Sequence, residues 1–188
     1  MPARKGIICL EGPWSRDLRS PDSVRSMVQF LAENGPYELI YRQVASAADL
    51  RLLLRTLRRS AYHRFRVLYF AFHGDPGVIK FGSYDMPLRA VAAAMGGSWR
   101  GRDVIFGTCE TLQATPATLR TFMKSTRARS ISGYVKEPDF IEATALDLLV
   151  MRLLLRGLSP SRVRAELMRV CPGLVADYGF QIHNARGA

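Results

Sequence analysis

Lysine, cysteine and long apolar runs are scarce in this chain. Only four lysines, Lys5, Lys80, Lys124 and Lys136, stand among 27 basic residues, so arginine carries most of the formal charge of +11. The three cysteines, Cys9, Cys109 and Cys171, are odd in number and form no CxxC. That argues against a disulfide framework and a cysteine zinc site, and it fits a reducing cytoplasm. The longest apolar stretch, residues 143–155, is interrupted by Asp147 and Arg152 and is too short to span a bilayer. The apolar run over residues 6–10 is too short for a signal-peptide core and meets Glu11 at once. A soluble, unexported, cytoplasmic protein without membrane contact is therefore expected. No repeat, low-complexity segment or linker divides the sequence, so residues 1–188 are expected to form one domain. A chain of this size buries roughly two thirds of its unfolded surface, and needs no metal, cofactor or disulfide to hold it.

A strongly positive chain invites polyanions. The arginines, however, spread over predicted helix faces. Their densest group is Arg51, Arg55, Arg58, Arg59, Arg64 and Arg66, and no RNA-binding, zinc-finger or basic-zipper signature accompanies it. A solvated arginine surface is favoured over nucleic-acid binding, and an acidic protein partner is a further option.

Residues 66–74, RVLYFAFHG, form an apolar and aromatic run that stops on a histidine and a glycine. Residues 103–111, DVIFGTCET, form a second run that stops on a cysteine. Short apolar runs bounded by turn formers suggest strands covered on both faces, as in parallel α/β sheets. Ligands and chemistry in such sheets collect beyond the carboxyl ends of the strands. If the two strands are neighbours, His73 and Cys109 face each other across one strand spacing, about 4.8 Å.

The rest of the chain alternates. A strand over residues 5–10 ends in the turn Glu11, Gly12, Pro13, Trp14. A helix is expected from Ser20 or Asp22, with Pro21 in its first turn, until Asn34 and Gly35 stop it. Residues 37–44 read as a strand, and Ser46 with Asp49 opens a helix carrying Leu50, Leu53, Leu54 and Leu57. After His73, residues 78–81 and 84–86 flank Gly82 and Ser83 as a hairpin, and residues 87–95 form a short helix closed by Gly96 and Gly97. Thr115 and Pro116 open a helix to about Ser125; residues 129–134 are a fifth strand; a helix runs over residues 140–156. Gly157 ends it, Ser159 and Pro160 open another to Val170, and residues 180–183 are a last edge strand. This pattern predicts an α/β fold with a mostly parallel, doubly wound sheet and helices on both faces.

Only the thiolate of a cysteine is a nucleophile, and near neutral pH an isolated thiol is mostly protonated. Opposite unit charges about 4 Å apart attract by roughly 4 kcal/mol at an effective dielectric near 20. An adjacent imidazolium at His73 is thus expected to favour the Cys109 thiolate, and can later protonate a leaving amine. The amides of Gly74 and Cys109 are natural oxyanion donors, since a residue without Cβ allows close approach of a carbonyl.

The pattern LYFAFHGDPG followed by VIFGTCETL resembles the caspase-like cysteine peptidases, the group of caspases, legumains, gingipains and separases, and within it most of all the CHAT domains. The Gly157, Leu158, Ser159 element before the later helix is similar as well, and the likeness spans about residues 5–170. The resemblance implies a caspase-like three-layer sandwich with strand order about 2-1-3-4-5, and a cysteine endopeptidase acting on protein or peptide substrates through a thioester acyl-enzyme, without metal or cofactor. It implies His73 as base and acid, Cys109 as nucleophile, and Gly74 and Cys109 as backbone oxyanion donors. In several of these peptidases an acidic residue lines a pocket for a basic substrate side chain. Asp139 stands near that place, with helix capping as its other role and with Glu137 and Glu142 as rivals. Glu11 is a further acidic candidate, either beside His73, where it would orient the ring, or as a solvent-facing turn residue. A separate activator or sensor protein, in a stress or defence pathway, is the regulation such a domain implies. The alternatives are a catalytically silent caspase-like interaction module and, less favoured, a basic nucleic-acid-binding protein.

Overall fold

A computed structural model of the chain describes residues 5–15, 17, 19–81 and 84–185. Five parallel strands form the body of its main sheet: β1 (Gly6–Glu11), β2 (Glu38–Gln43), β3 (Phe65–Ala71), β7 (Asp103–Gly107) and β8 (Ser130–Gly133). The edge strand β9 (Gln181–Asn184) runs antiparallel to β8, and the order is β2-β1-β3-β7-β8-β9. A second sheet joins β4 (Gly74–Asp75), β5 (Val78–Phe81) and β6 (Tyr84–Pro87), all antiparallel. The expected hairpin is thus part of a three-stranded unit rooted at His73, whose carbonyl accepts from Lys80 N at 2.9 Å. Its expected turn, Gly82 and Ser83, lies outside the described residues.

Successive strand residues point to opposite faces, and the chain uses both. Ile8, Leu10, Leu68, Phe70, Val104 and Phe106 face one core, built with α2 (Ala47–Thr56), α3 (Leu88–Met95) and α4 (Pro116–Thr126). Ile7, Cys9, Val67, Tyr69 and Ile105 face the other, built with α1 (Arg25–Glu33), α5 (Phe140–Leu155), α6 (Pro160–Val170) and α7 (Pro172–Asp177). The central strands are therefore apolar on both sides, and this α/β sheet is mostly parallel. Among the described residues no helix is long and apolar enough to cross a membrane.

Thr115 and Ser159 cap α4 and α6 from the positions expected, accepting from Thr118 N and Arg162 N, with proline in the first turn of each. α1 differs. It begins at Arg25 instead of near Pro21, because the donor N–H of Val24 is taken by a distant carboxylate, Glu11, at 2.7 Å. α7 begins at Pro172, beyond Val170, where the sequence pattern ends its last helix.

Candidate active site

β3 and β7 pair in parallel up to Ala71 opposite Gly107. His73 and Cys109 each lie two residues beyond that last pair, at the carboxyl edge of the sheet. Equal offsets on neighbouring parallel strands bring the imidazole and thiol to the same level. Both line a smaller, somewhat more enclosed cavity of about 180 Å³, and both line a larger, slightly more open one of about 370 Å³. They stand on the wall between the two.

The turn after Cys109 is held tightly. Glu110 adopts φ of 51°, the left-handed region, and its carbonyl accepts from Gln113 N at 2.7 Å. Thr108 Oγ1 donates to Thr111 Oγ1 at 2.7 Å, and the buried Thr111 hydroxyl donates to the β5 carbonyl of Val78 at 2.9 Å. Gly74 packs against this turn. A Cβ there would sit 2.4 Å from the Cys109 carbonyl oxygen and 2.4 Å from Thr111 Oγ1. Antiparallel pairs alternate between bonded and non-bonded. Because Lys80 bonds to His73, the next pair, Gly74 with Ile79, is non-bonded, and the Gly74 N–H is directed away from β5.

His73 is oriented from the β1 side. A carbonyl only accepts, so the 2.6 Å contact between His73 Nε2 and Trp14 O makes Nε2 the protonated nitrogen and leaves Nδ1 as the basic one. The Trp14 ring meets the imidazole edge-on with centroids 5.4 Å apart, and meets Phe140 at 5.1 Å. Trp14 is itself held by Glu11, whose Oε1 accepts from the indole Nε1 at 2.6 Å. Among the described residues no hydrogen bond joins the imidazole to the thiol.

Glu11 is neither a pocket acid nor a solvent-facing turn residue. It is 2 % exposed, and besides Trp14 and Val24 it accepts from Ser23 Oγ at 2.8 Å and from Tyr41 Oη. Four donors satisfy the carboxylate, so burial is tolerated. It reaches the site through Trp14 and Val24, both of which line the smaller cavity.

Asp139 is also not a pocket residue. Its Oδ1 accepts from Ile141 N at 2.9 Å and Glu142 N at 3.0 Å, the N-cap of α5, and it lines neither cavity. Glu142 accepts from Tyr178 Oη at the surface. Glu137 does line both cavities beside His73 and Cys109. The carboxylate beneath the site is Asp147 of α5. It is 1 % exposed, lines the smaller cavity, and accepts from Tyr69 Oη and Tyr134 Oη at 2.8 Å each. Burial pushes its pKa up to about 7 against the opposing pull of the two phenols. Gly107 makes room for it: a Cβ there would lie 2.4 Å from Tyr69 Oη and 2.7 Å from Asp147 Oδ2.

The Cys109 thiol is pushed up, opposite to the expected activation. Burial is the main cause; the carboxylates of Glu137, Glu110 and Asp75 add to it, and the residue's own amide works against it. In this arrangement the upward push favours the neutral thiol.

Fold and site define a class: an α/β protein with a thiol and an imidazole in register at the carboxyl edge of a parallel sheet, above a buried carboxylate. The model of a family of unknown function, DUF6642, matches residues 4–183, and the chain belongs to that family. No curated protein matches it.

Proposed function

We propose that the protein is a caspase-like cysteine endopeptidase that cleaves protein substrates with His73 and Cys109. The observation that carries this reading is the pairing of equal offsets: two residues past Ala71 and two past Gly107, on neighbouring strands, beside shared cavities. The order β2-β1-β3-β7-β8 with helices on both faces supports a caspase-like three-layer sandwich.

In this reading the larger cavity takes the peptide backbone and the smaller one takes the side chain before the cut. His73 Nδ1 removes the thiol proton as sulfur attacks the carbonyl carbon; the oxyanion forms against the amides of Gly74 and Cys109. The imidazolium then protonates the leaving amine as the C–N bond breaks, and water cleaves the thioester with the same imidazole as base. The smaller cavity has Asp147 below and Glu137 at its rim, which suits a lysine or arginine side chain.

The upward push on the Cys109 thiol supports a second reading, a catalytically silent interaction module on the same fold, or an enzyme whose activator must first open the thiol to solvent and move the carboxylates away. One measurement separates these. Iodoacetamide alkylation of Cys109 is followed against pH in the folded protein, alone and with fluorogenic Arg, Lys, Asp and Leu peptides. The peptidase reading expects turnover of Arg or Lys peptides that is lost in Cys109→Ala and His73→Ala, and faster alkylation of Cys109 than of Cys171. No turnover, with an alkylation profile unchanged by His73→Ala, points to the silent module.

A further inference from the structure

The opposite edge of the sheet, where the strands begin, gathers arginine. Arg64 and Arg66 stand at the start of β3, Arg100 and Arg102 precede β7, and Arg127 and Arg129 precede β8. These strands are parallel neighbours, with Val67 beside Asp103 and Asp103 beside Ser130, so the six arginines share one edge. Direct contacts tie the group together. Arg129 N donates to the Arg102 carbonyl at 2.7 Å, and Arg100 forms a bridge with Ala128. The Arg66 guanidinium comes within 3.6 Å of where a Cβ would stand on Gly101, and Arg127 Nε within 3.5 Å of that position on Gly97.

Little negative charge answers them. Glu38 pairs with Arg64 at 2.6 Å and Asp103 with Arg129 at 2.5 Å. Among the described residues Arg66, Arg100, Arg102 and Arg127 have no carboxylate partner. Arg102 is the telling one. It is 2 % exposed, lies 4.1 Å over the Trp99 ring and gives Nη2 to the Ser98 carbonyl at 2.6 Å. Its Nη1 and the neighbouring Ser98 Oγ are buried without partners. A buried cation with a second arginine beside it costs free energy that a bound anion offsets.

We propose that this edge binds the phosphodiester backbone of nucleic acid, with Arg66, Arg100 and Arg127 contacting phosphates and Arg102 fixed behind them as a standing positive charge. Arginine's planar fork matches phosphate oxygens two at a time. None of the large exposed apolar side chains belongs to these three segments, so there is no wedge for a bilayer and no aromatic platform for a base. Binding is therefore independent of sequence. The carboxylates of Glu110, Glu137 and Asp75 stand at the other edge, around Cys109, and repel a polyanion from the site. Nucleic acid is then a partner and not a substrate, whatever the site itself does.

The test is fluorescence anisotropy of labelled single-stranded and duplex oligonucleotides with the full chain, over about 50 to 200 mM salt. Three phosphates neutralised predict a slope of log K against log salt of about −2.7 on the duplex, about −0.9 for each, and about −2 on single strands. In the Arg100→Glu, Arg127→Asn pair, both exposed positions, the slope is expected to fall to about −1. Arg66→Gln added to the pair is expected to abolish salt-dependent binding. If that triple variant loses its circular dichroism signature, the exposed pair alone decides. Arg120→Glu, on α4 near the other edge, is expected to leave the slope unchanged. No binding at low salt, an unchanged slope in the pair, or tighter binding to anionic vesicles or polyglutamate than to the oligonucleotides overturns the proposal.

Discussion

Asp147→Asn tests the buried carboxylate beneath the site. In the folded protein its pKa stands at about 7, against the usual value of 3.8. The folded state thus holds the proton more tightly than the unfolded chain. The stability this proton confers is complete below about pH 4 and is lost progressively as pH rises to about 7. Each pH unit of separation is worth about 1.4 kcal/mol, so full ionisation costs the fold roughly 4 kcal/mol. From pH 5 to pH 8 the wild-type protein should lose about 3 kcal/mol through this group alone. Asparagine cannot ionise, yet its amide can accept from one of Tyr69 and Tyr134 and donate to the other. The variant should therefore match the wild type at pH 4 and exceed it at pH 8 by about 4 kcal/mol. Urea unfolding at pH 4, 5, 6, 7 and 8, followed by tryptophan fluorescence, reads this directly. Parallel stability curves for the two proteins would refute the argument. They would mean that the carboxylate is solvated or compensated in a way that its 1 % exposure does not allow. In the peptidase reading the same titration sets the charge under the side-chain pocket, so preference for arginine over leucine peptides should rise between pH 6 and pH 8, and that rise should be absent in the variant, where Glu137 alone remains.

Other consequences follow from the packing. Glu11→Ala leaves all four donors without an acceptor and should cost at least about 3 kcal/mol in denaturant unfolding; nitrogen-15 NMR should show the His73 imidazole losing its single protonated Nε2 form as Trp14 loosens. Gly74→Ala drives a methyl into the Cys109 carbonyl and should destabilise by about 1 to 3 kcal/mol, changing the alkylation rate of Cys109 while that of Cys171 stays constant. Asp139→Ala removes the cap of α5 and should cost about 1 kcal/mol, without altering the order of preferred peptides. A change of peptide preference in that variant would return Asp139 to the pocket.

Local rules made much of this architecture legible. A strand buried on both faces has few ways to be written, so the apolar runs ending at His73 and Cys109 announced β3 and β7. Thr115 with Pro116, and Ser159 with Pro160, carry their capping chemistry within four residues, and both helices begin where that chemistry says. The alternation of strand and helix likewise limited the fold to an α/β sheet with mostly parallel strands.

What the tertiary structure decided depends on partners far away in sequence. Glu11 reads as a turn residue because Ser23, Val24 and Tyr41, which make it a buried acceptor, lie 12, 13 and 30 residues on. Asp147 reads as a break in an apolar helix; a lone acid in such a run hints at buried pairing, but Tyr69, 78 residues away, completes it. Asp139 carried two readings in the sequence, cap of α5 and pocket acid; the cap, which needs only its own next three residues, is the one the fold shows. The protonation of Cys109 was beyond local reading for the same reason: the sign of its shift comes from burial and from which charges surround it, and both exist only once the chain has closed.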